Sequence, residues 1–524
     1  MVELDVLPSV DARAVDGSQS GDAPVKWAKV LNQDTCIGCH ACSTACKSEH
    51  LVPLGVNRTY VKQVEVGLYP DVERQFQVTR CNQCEDAPCV TICPVTAMFK
   101  REDGIVDFDR EVCIGCKACM AACPYDAIHI SPESHSAEKC NFCAHRIDQG
   151  LQPACVSVCP VGAIVVGNMN DPTSEVSELI ARDKVTVRKP EKGTHPKVFY
   201  VGASDYTKSP SAVAPESGYM YAERADAKNG RSAAAKSVAA ARLAYDNAHR
   251  APWHWPVSLY TWTKSISAGV SLMFAILIFS GHSLSAGFDV ITAVIGGFFL
   301  AVTGVLLIYD LEHPSRFLRI FTRPQWKSWL VRGSFVIALY SVLLLVQFVL
   351  GIFGSTAGAL GIAIAGTLLG GLTAIYTAFL FAQAKGRDLW QNPALPLHLL
   401  TQAIICGSGV YLILNLMMPL PGRADVIVRA TFIIALVVHF ALVLSERYVP
   451  HATEDGHLAA WQMTSGRYRS YYLFGFIVGA ILPLCLAWFS AASHLPEVAA
   501  LLAIGGLYFY EHAYVQAGQS VRLS

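Results

Sequence analysis

From about residue 258 onward the chain is a succession of long apolar runs. Eight of them, at 259–280, 288–309, 331–353, 357–382, 397–418, 425–444, 471–490 and 495–515, approach the ~20 residues a membrane-spanning helix needs. So few charges interrupt them that buried helices of a large water-soluble domain are a poor alternative. The first 200 residues follow a different rhythm. Short alternating segments at 98–100 and 105–108 flank the turn Glu102-Asp103-Gly104 and predict a hairpin. Residues 127–130 and 163–166 predict further short strands, and 184–188 with 197–201 a closing pair. Residues 205–250, rich in Ala, Ser, Lys and Arg, show no apolar stripe and read as a linker, partly helical around 232–247. The resulting division is a polar, disordered N-terminus (1–26), a soluble domain (27–204), a linker (205–252) and an all-α membrane bundle (253–524) of eight transmembrane helices.

Charge adds an orientation. The net formal charge is zero, which points to no nucleic-acid partner. With eight spans both ends of the bundle share one face. That face carries Arg316, Arg319, Arg323, Lys327, Arg332, Lys385, Arg387, Arg447, Arg467, Arg469 and Arg522, against Arg423 on the other. The positive-inside rule sets the basic face and the soluble domain in the cytoplasm, the periplasmic side being the alternative if basicity serves docking. Residues 1–30 hold no apolar run and no twin arginine, so a reducing compartment is expected. There, cysteines at close spacing mean metal rather than disulfides.

Sixteen of the 18 cysteines lie between Cys36 and Cys159 in four groups of four. They are Cys36, Cys39, Cys42 and Cys46; Cys81, Cys84, Cys89 and Cys93; Cys113, Cys116, Cys119 and Cys123; and Cys140, Cys143, Cys155 and Cys159. Groups one and three read C-x2-C-x2-C-x3-C, the spacing of bacterial ferredoxins. Three close cysteines wrap one cluster, and the fourth reaches the neighbouring one. Proline follows Cys93, Cys123 and Cys159, whereas Lys47 follows Cys46. A zinc ribbon does not account for the x3-C-P ending, so four [4Fe–4S] clusters are expected.

This order of groups resembles the four-cluster iron–sulfur subunits of molybdopterin oxidoreductases, of the dimethyl sulfoxide reductase and polysulfide reductase type. The resemblance implies an α+β double bis-[4Fe–4S] ferredoxin-like domain in which the first and last groups fold together, as do the middle two. Carried over, Cys36, Cys39, Cys42 and Cys159 hold one cluster, and Cys140, Cys143, Cys155 and Cys46 its neighbour. Cys81, Cys84, Cys89 and Cys123 hold a third, and Cys113, Cys116, Cys119 and Cys93 the fourth, nearest the membrane. The first pair would face a catalytic subunit carrying molybdenum or tungsten.

In the membrane half, Ile308-Tyr309-Asp310-Leu311-Glu312-His313-Pro314-Ser315-Arg316-Phe317 resembles the connection after the second helix of NrfD/polysulfide-reductase anchors, which bind a quinone and no haem. Quinone chemistry exchanges two protons with two electrons. An ionisable group in or beside a span is therefore a candidate. Asp310, at the end of the second span, is read as the protonatable group, with capping of the next turn as the alternative. Lys264 either donates to the quinone or snorkels to the interface. His313, Arg316 and Arg332 border the same face; Arg316 serves equally for headgroup or docking contacts. His439 is mid-span without an evident facing histidine, since His282, His398 and His512 lie near span ends, so no haem is expected. Cys406 and Cys485 read as small packing residues. Trp253, Trp255, Tyr260 and Trp262 read as an aromatic belt.

No G-x-G-x-x-G or P-loop is present. The chain thus reads as an inner-membrane, multi-pass, electron-transfer and anchor subunit. It would relay electrons between menaquinone or ubiquinone and a separate molybdopterin subunit. The alternative is the input module of an ion-translocating respiratory complex, disfavoured because the far halves of the first four helices are almost free of protonatable groups.

Overall fold

The computed structural model describes residues 24–68, 70–213, 241–247, 250–354, 358–488 and 494–524. The expected disorder of 1–26 falls almost wholly outside them. A four-stranded sheet opens the cysteine domain, in the order β8 (Ile164–Asn168), β1 (Trp27–Asn32), β10 (Val198–Val201), β9 (Val185–Thr186). β1 runs parallel to β10 and antiparallel to β8, so the start and the end of the domain close on one another. The hairpin β4 (Met98–Lys100) and β5 (Val106–Phe108) forms as its alternation predicts. β6 (Ile128–Ile130) pairs with β7 (Ala137–Lys139).

Two features differ from the sequence reading. A long ribbon, β2 (Thr59–Leu68) with β3 (Asp71–Arg80), rises between the first two cysteine groups. Its alternating pattern is masked by the cysteines on either side. Residues 241–245, expected to be part of a helical linker, instead form β11 (Ala241–Tyr245) on the free edge of β2. Alternate residues Ala241 and Leu243 bury against Val64 and Val213, so the segment joins the cysteine domain through its apolar face.

Among the described residues, eight helices long and apolar enough to cross a membrane follow: Trp255–Phe279, Ala286–Tyr309, Trp329–Ile352, Ala359–Gln383, Leu395–Asn415, Ala424–Tyr448, Arg469–Trp488 and Leu495–Gly518. They agree with the eight apolar runs to within a few residues. The first helix is the axis of the bundle, packed against the second, fourth and fifth. Its approach to the fifth is set by glycine: a Cβ on Gly407 would lie 1.9 Å from the carbonyl oxygen of Gly269, and one on Gly269 1.9 Å from that of Ala403. The seventh helix carries a π-turn at Ile477–Ile481, beside a second close glycine pair, Gly479 and Gly506.

Backbone cannot yield cheaply at such a contact, so Gly407→Ala is expected to destabilise the bundle by about 1–3 kcal/mol. The unfolding midpoint in detergent reads this; an unchanged midpoint would show that the helices are not held at this distance.

Candidate functional site

The cysteine loops share a local geometry. In groups one and three the glycine before the second cysteine (Gly38, Gly115) and the residue after it (His40, Lys117) have positive φ. Two successive left-handed turns curl the loop round an interior point, toward which the sulfurs face. One enclosed cavity is lined by Cys36, Cys39, Cys42 and Cys159, and another by Cys93, Cys113, Cys116 and Cys119. Cys46 has Cys140, Cys143 and Cys155 for neighbours, and Cys89 has Cys81, Cys84 and Cys123. The first group thus meets the last and the second meets the third, each foursome drawing one cysteine from its partner group.

Three observations bear on what these foursomes fit. All sixteen thiols are free of disulfides. Among the described residues no three His, Cys, Asp or Glu side chains converge on a single-ion position. Arg80, buried, points Nη1 at Cys155 Sγ (3.1 Å) while its Nε and Nη2 find no partner among the described residues. Soft donors in fours with orphaned N–H groups suit sulfide-bearing clusters. Burial pushes most of these thiols up, Cys42, Cys84 and Cys116 among them. At Cys155 burial acts the same way, but Lys29 and Arg80 outweigh it and bring the thiol down to about 7.

The membrane domain grips the third group by its backbone. Four consecutive carbonyls accept from it: Cys113 from Arg316 Nη1 (2.9 Å), Ile114 from His313 N (3.2 Å), Gly115 from Glu312 N (3.3 Å) and Cys116 from Trp253 Nε1 (3.1 Å). Around them, Ser328 Oγ donates to Ile92 O (2.7 Å) and Gln325 N to Pro94 O (3.0 Å).

Directly beneath lies an apolar cavity of about 220 Å3, walled by the first four membrane helices and the connection after the second. Tyr260, Tyr376, Ile337 and Phe317 are among its walls, and Cys116 sits at its roof. Among the described residues Asp310 supplies its one carboxyl group. Asp310 Oδ1 is 3.2 Å from Lys117 Nζ, the residue between Cys116 and Ala118, and Lys117 also faces Glu312 at 3.6 Å. Burial pushes Asp310 above the usual carboxylate range, with Lys117 pulling it back. On the other side of Lys117 is a polar cavity of about 310 Å3, lined by Glu312, His129, His135 and His254 among others.

The five candidate residues therefore separate. Asp310 lines the apolar cavity and bonds Lys117 rather than capping a turn. His313 and Arg316 serve docking: His313 Nε2 also meets Ser134 O (3.0 Å), and Arg316 meets Arg110 O (3.0 Å). Arg332 stands clear of the cavity, its Nε donating to Trp326 O (2.7 Å) and its guanidinium over Trp329. Lys264 does not snorkel. It is wholly buried, donating to Ala374 O and Thr377 Oγ1 (both 2.8 Å), one layer behind the cavity wall residue Tyr376. Its long stem points into the bundle because Glu511 lies there, beside Thr261 and Gln402.

Other expectations also change. His439 does have a facing histidine: His398 Nε2, from the first turn of the fifth helix, meets His439 Nδ1 at 3.0 Å. Trp253 and Tyr260 turn inward, Trp253 stacked on Phe381 and Trp390, leaving Trp255 exposed as the belt residue. Cys406 is buried, whereas Cys485 is exposed and does not pack. Sequence reasoning misses Lys117 altogether. Its only signal is a cation inside a cysteine loop, and its partner lies 193 residues away.

Two family models match this sequence. A 4Fe-4S dicluster domain matches residues 72–169, and "Polysulphide reductase, NrfD" matches residues 245–521, more than half of the chain. A subunit of the tetrathionate reductase of Salmonella typhimurium is 44% identical, over 34% of this chain and 74% of its own length. A component of the polysulfide reductase of Wolinella succinogenes is 42% identical, over 34% and 94%. The arsenate respiratory reductase iron-sulfur subunit of a Shewanella species is 36% identical, over 33% and 94%.

At Gly115 the two halves approach closely: its φ is +70°, and a Cβ there would lie 2.4 Å from Glu312 Cβ. Gly115→Ala is expected to keep the iron of the cysteine domain while slowing electron arrival from the membrane at least tenfold. Iron content and stopped-flow bleaching read the two separately; wild-type rates would show that this contact does not carry the coupling.

Proposed function

This protein belongs to the polysulphide reductase NrfD family and is an integral multi-pass membrane protein with an iron–sulfur electron-transfer domain at its N-terminal end; on that premise we propose that it relays electrons between a membrane quinone and a separate molybdopterin subunit through four [4Fe–4S] clusters. The observation that carries the reading is the apolar cavity under the third cysteine group, with Asp310 at its edge and Cys116 in its roof.

Cys36, Cys39, Cys42 and Cys159 would hold one cluster; Cys46, Cys140, Cys143 and Cys155 the next; Cys81, Cys84, Cys89 and Cys123 the third; Cys93, Cys113, Cys116 and Cys119 the last. Bound there, the clusters supply one-electron transfer over a range of potentials. The chain's own residues do the rest. Tyr260 and Tyr376 present flat apolar faces to a quinone ring. Asp310 accepts a proton from the quinol or returns one to the quinone, and Lys117 balances its charge. Glu312 and His135, 3.6 Å apart, lead from there into the polar cavity.

Cys39 is exposed, and in the same stretch of chain so are Ile37 (56% exposed), Leu51 (83%) and Leu54 (91%), which offer an apolar rim. Such a rim suits a catalytic partner, as the relatives' names as reductase subunits also suggest. The basic loops favour the cytoplasmic face of the inner membrane for this domain. A membrane-impermeant dysprosium complex should then broaden the cluster signals in inverted vesicles and not in right-side-out ones; the reverse pattern selects the periplasmic face. The reading includes no haem, His398 and His439 bonding each other instead.

A second reading, ion translocation, has one observation in its favour. Lys264, Glu511, Gln402, His398 and His439 are all buried in one region of the bundle, on the first, fifth, sixth and eighth helices. Glu511→Gln decides: the quinone reading predicts an unchanged number of protons moved per electron pair in vesicles, and a lower number selects translocation.

For the principal reading, purified protein should hold about 16 irons per chain, and quinol should bleach the clusters. Quinol oxidation needs Asp310 as carboxylate, and burial raises its pKa. The rate should therefore fall as pH is lowered through that raised value. Asp310→Asn should lose this limb and run about 100-fold slower. Wild-type rate and pH profile in that variant would remove Asp310 from the mechanism.

A further inference from the structure

Two cations buried in the cysteine domain face sulfur rather than a carboxylate. Lys29 lies on β1, in the middle of the four-stranded sheet, with none of its surface exposed; Arg80 ends β3 with 1% exposed. Neither makes an ion pair among the described residues. A buried unpaired charge is costly, by several kcal/mol per ion, so something anionic must answer it. What both face is sulfur. Arg80 Nη1 is 3.1 Å and Lys29 Nζ 3.9 Å from Cys155 Sγ. Arg80 also faces Cys140 and Cys42. A third group, His50 Nε2, is 3.2 Å from Cys143 Sγ.

In the other three foursomes no lysine or arginine among the described residues bonds a sulfur, although Arg80 also faces Cys42 of the first. Cys93 and Cys113 receive backbone N–H groups from Met98, Gly115 and Ala137. The nearest cation to them, Lys117, is neutralised by Asp310 and Glu312. Lys139, near Cys84 and Cys89, donates its protons to the carbonyls of Val106 and Cys140. Cys159 receives Ala163 N, and its neighbour Cys39 is exposed to solvent.

Adding an electron to a cluster with four thiolates adds one negative charge at a fixed place. Net charge and hydrogen bonds to sulfur are what set its potential, and in a low-dielectric interior a cation 3–4 Å away acts strongly. We propose that Lys29 and Arg80 make the site of Cys46, Cys140, Cys143 and Cys155 the most easily reduced of the four, so that an electron rests there, one step inside the partner-facing end. The step is [4Fe–4S]2+ plus one electron, from the quinol or from the partner's reduced substrate, giving [4Fe–4S]+. No bond is made and no proton is taken up, because the compensating charge is already built in. Two-electron chemistry on the partner would then find one electron waiting while the second crosses the chain.

The proposal rests on the four-cluster assignment, and one sample tests both. Full-length protein is titrated electrochemically and followed by EPR, with iron counted on the same preparation. Fewer than about 16 irons in the wild type would sink the assignment itself. With four clusters present, Lys29→Gln and Arg80→Gln should each lower the potential of the highest-potential signal, changing its oxidised-to-reduced ratio at a fixed potential at least tenfold, or 59 mV for one electron. The signals of the two middle foursomes should stay in place, and that of Cys36, Cys39, Cys42 and Cys159, which Arg80 faces through Cys42, should move by less. If neither neutral variant assembles, Arg80→Lys, which keeps the charge but shortens its reach, should move the same signal the same way by less. An unmoved highest-potential signal, or a larger movement of a different one, overturns the proposal.

Discussion

Four consecutive peptide carbonyls, from Cys113 to Cys116, are held by Arg316, His313, Glu312 and Trp253. Everything else in the molecule depends on this grip. It fixes the membrane end of the cysteine domain against the connection after the second helix, through two backbone N–H groups, of Glu312 and His313, flanked by two side-chain donors, Arg316 and Trp253. Because the accepting groups are carbonyls of a ligand loop, the docking surface and the cysteine site are one structure. Each hydrogen bond contributes modestly on its own, about 1 kcal/mol net. Together, in a buried seam, leaving any of them unmade is the larger cost.

That seam explains why the charges sit where they do. Lys117 enters it as part of a cysteine loop and meets Asp310 and Glu312 from the membrane side, so the cation and the acids neutralise one another at the junction. Away from the seam, some cations are paired across the domains, as Lys189 is with Asp455 at 2.9 Å, while Lys29 and Arg80 face sulfur. The apolar cavity can stay apolar because the polar work is done at its rim.

Much of this is legible in the sequence, and the reasons for the rest are physical. Eight spans are visible because membrane helices must satisfy their backbone internally and be apolar for ~20 residues. The four cysteine groups announce themselves by spacing, and Asp310 by a charge placed where a span ends. What spacing cannot give is direction in space. Lys264 near a helix end reads as a snorkelling residue until Glu511, 247 positions later, is found opposite it. His439 looks solitary until the fifth helix brings His398 beside it. Residues 241–245 alternate too briefly to declare a strand until the free edge of β2 is there to receive them. In each case what is missing is a contact between distant segments, which no local pattern encodes.

The most direct test of the whole account is to ask where a quinone sits. A photoreactive azidoquinone, activated in membranes holding the full-length protein and mapped by mass spectrometry, should label the cavity walls: Tyr260, Tyr376 or the connection at 310–321, with excess unlabelled quinol suppressing it. Suppressible labelling confined to the fifth, sixth and eighth helices around His398, His439 and Glu511 would contradict the account.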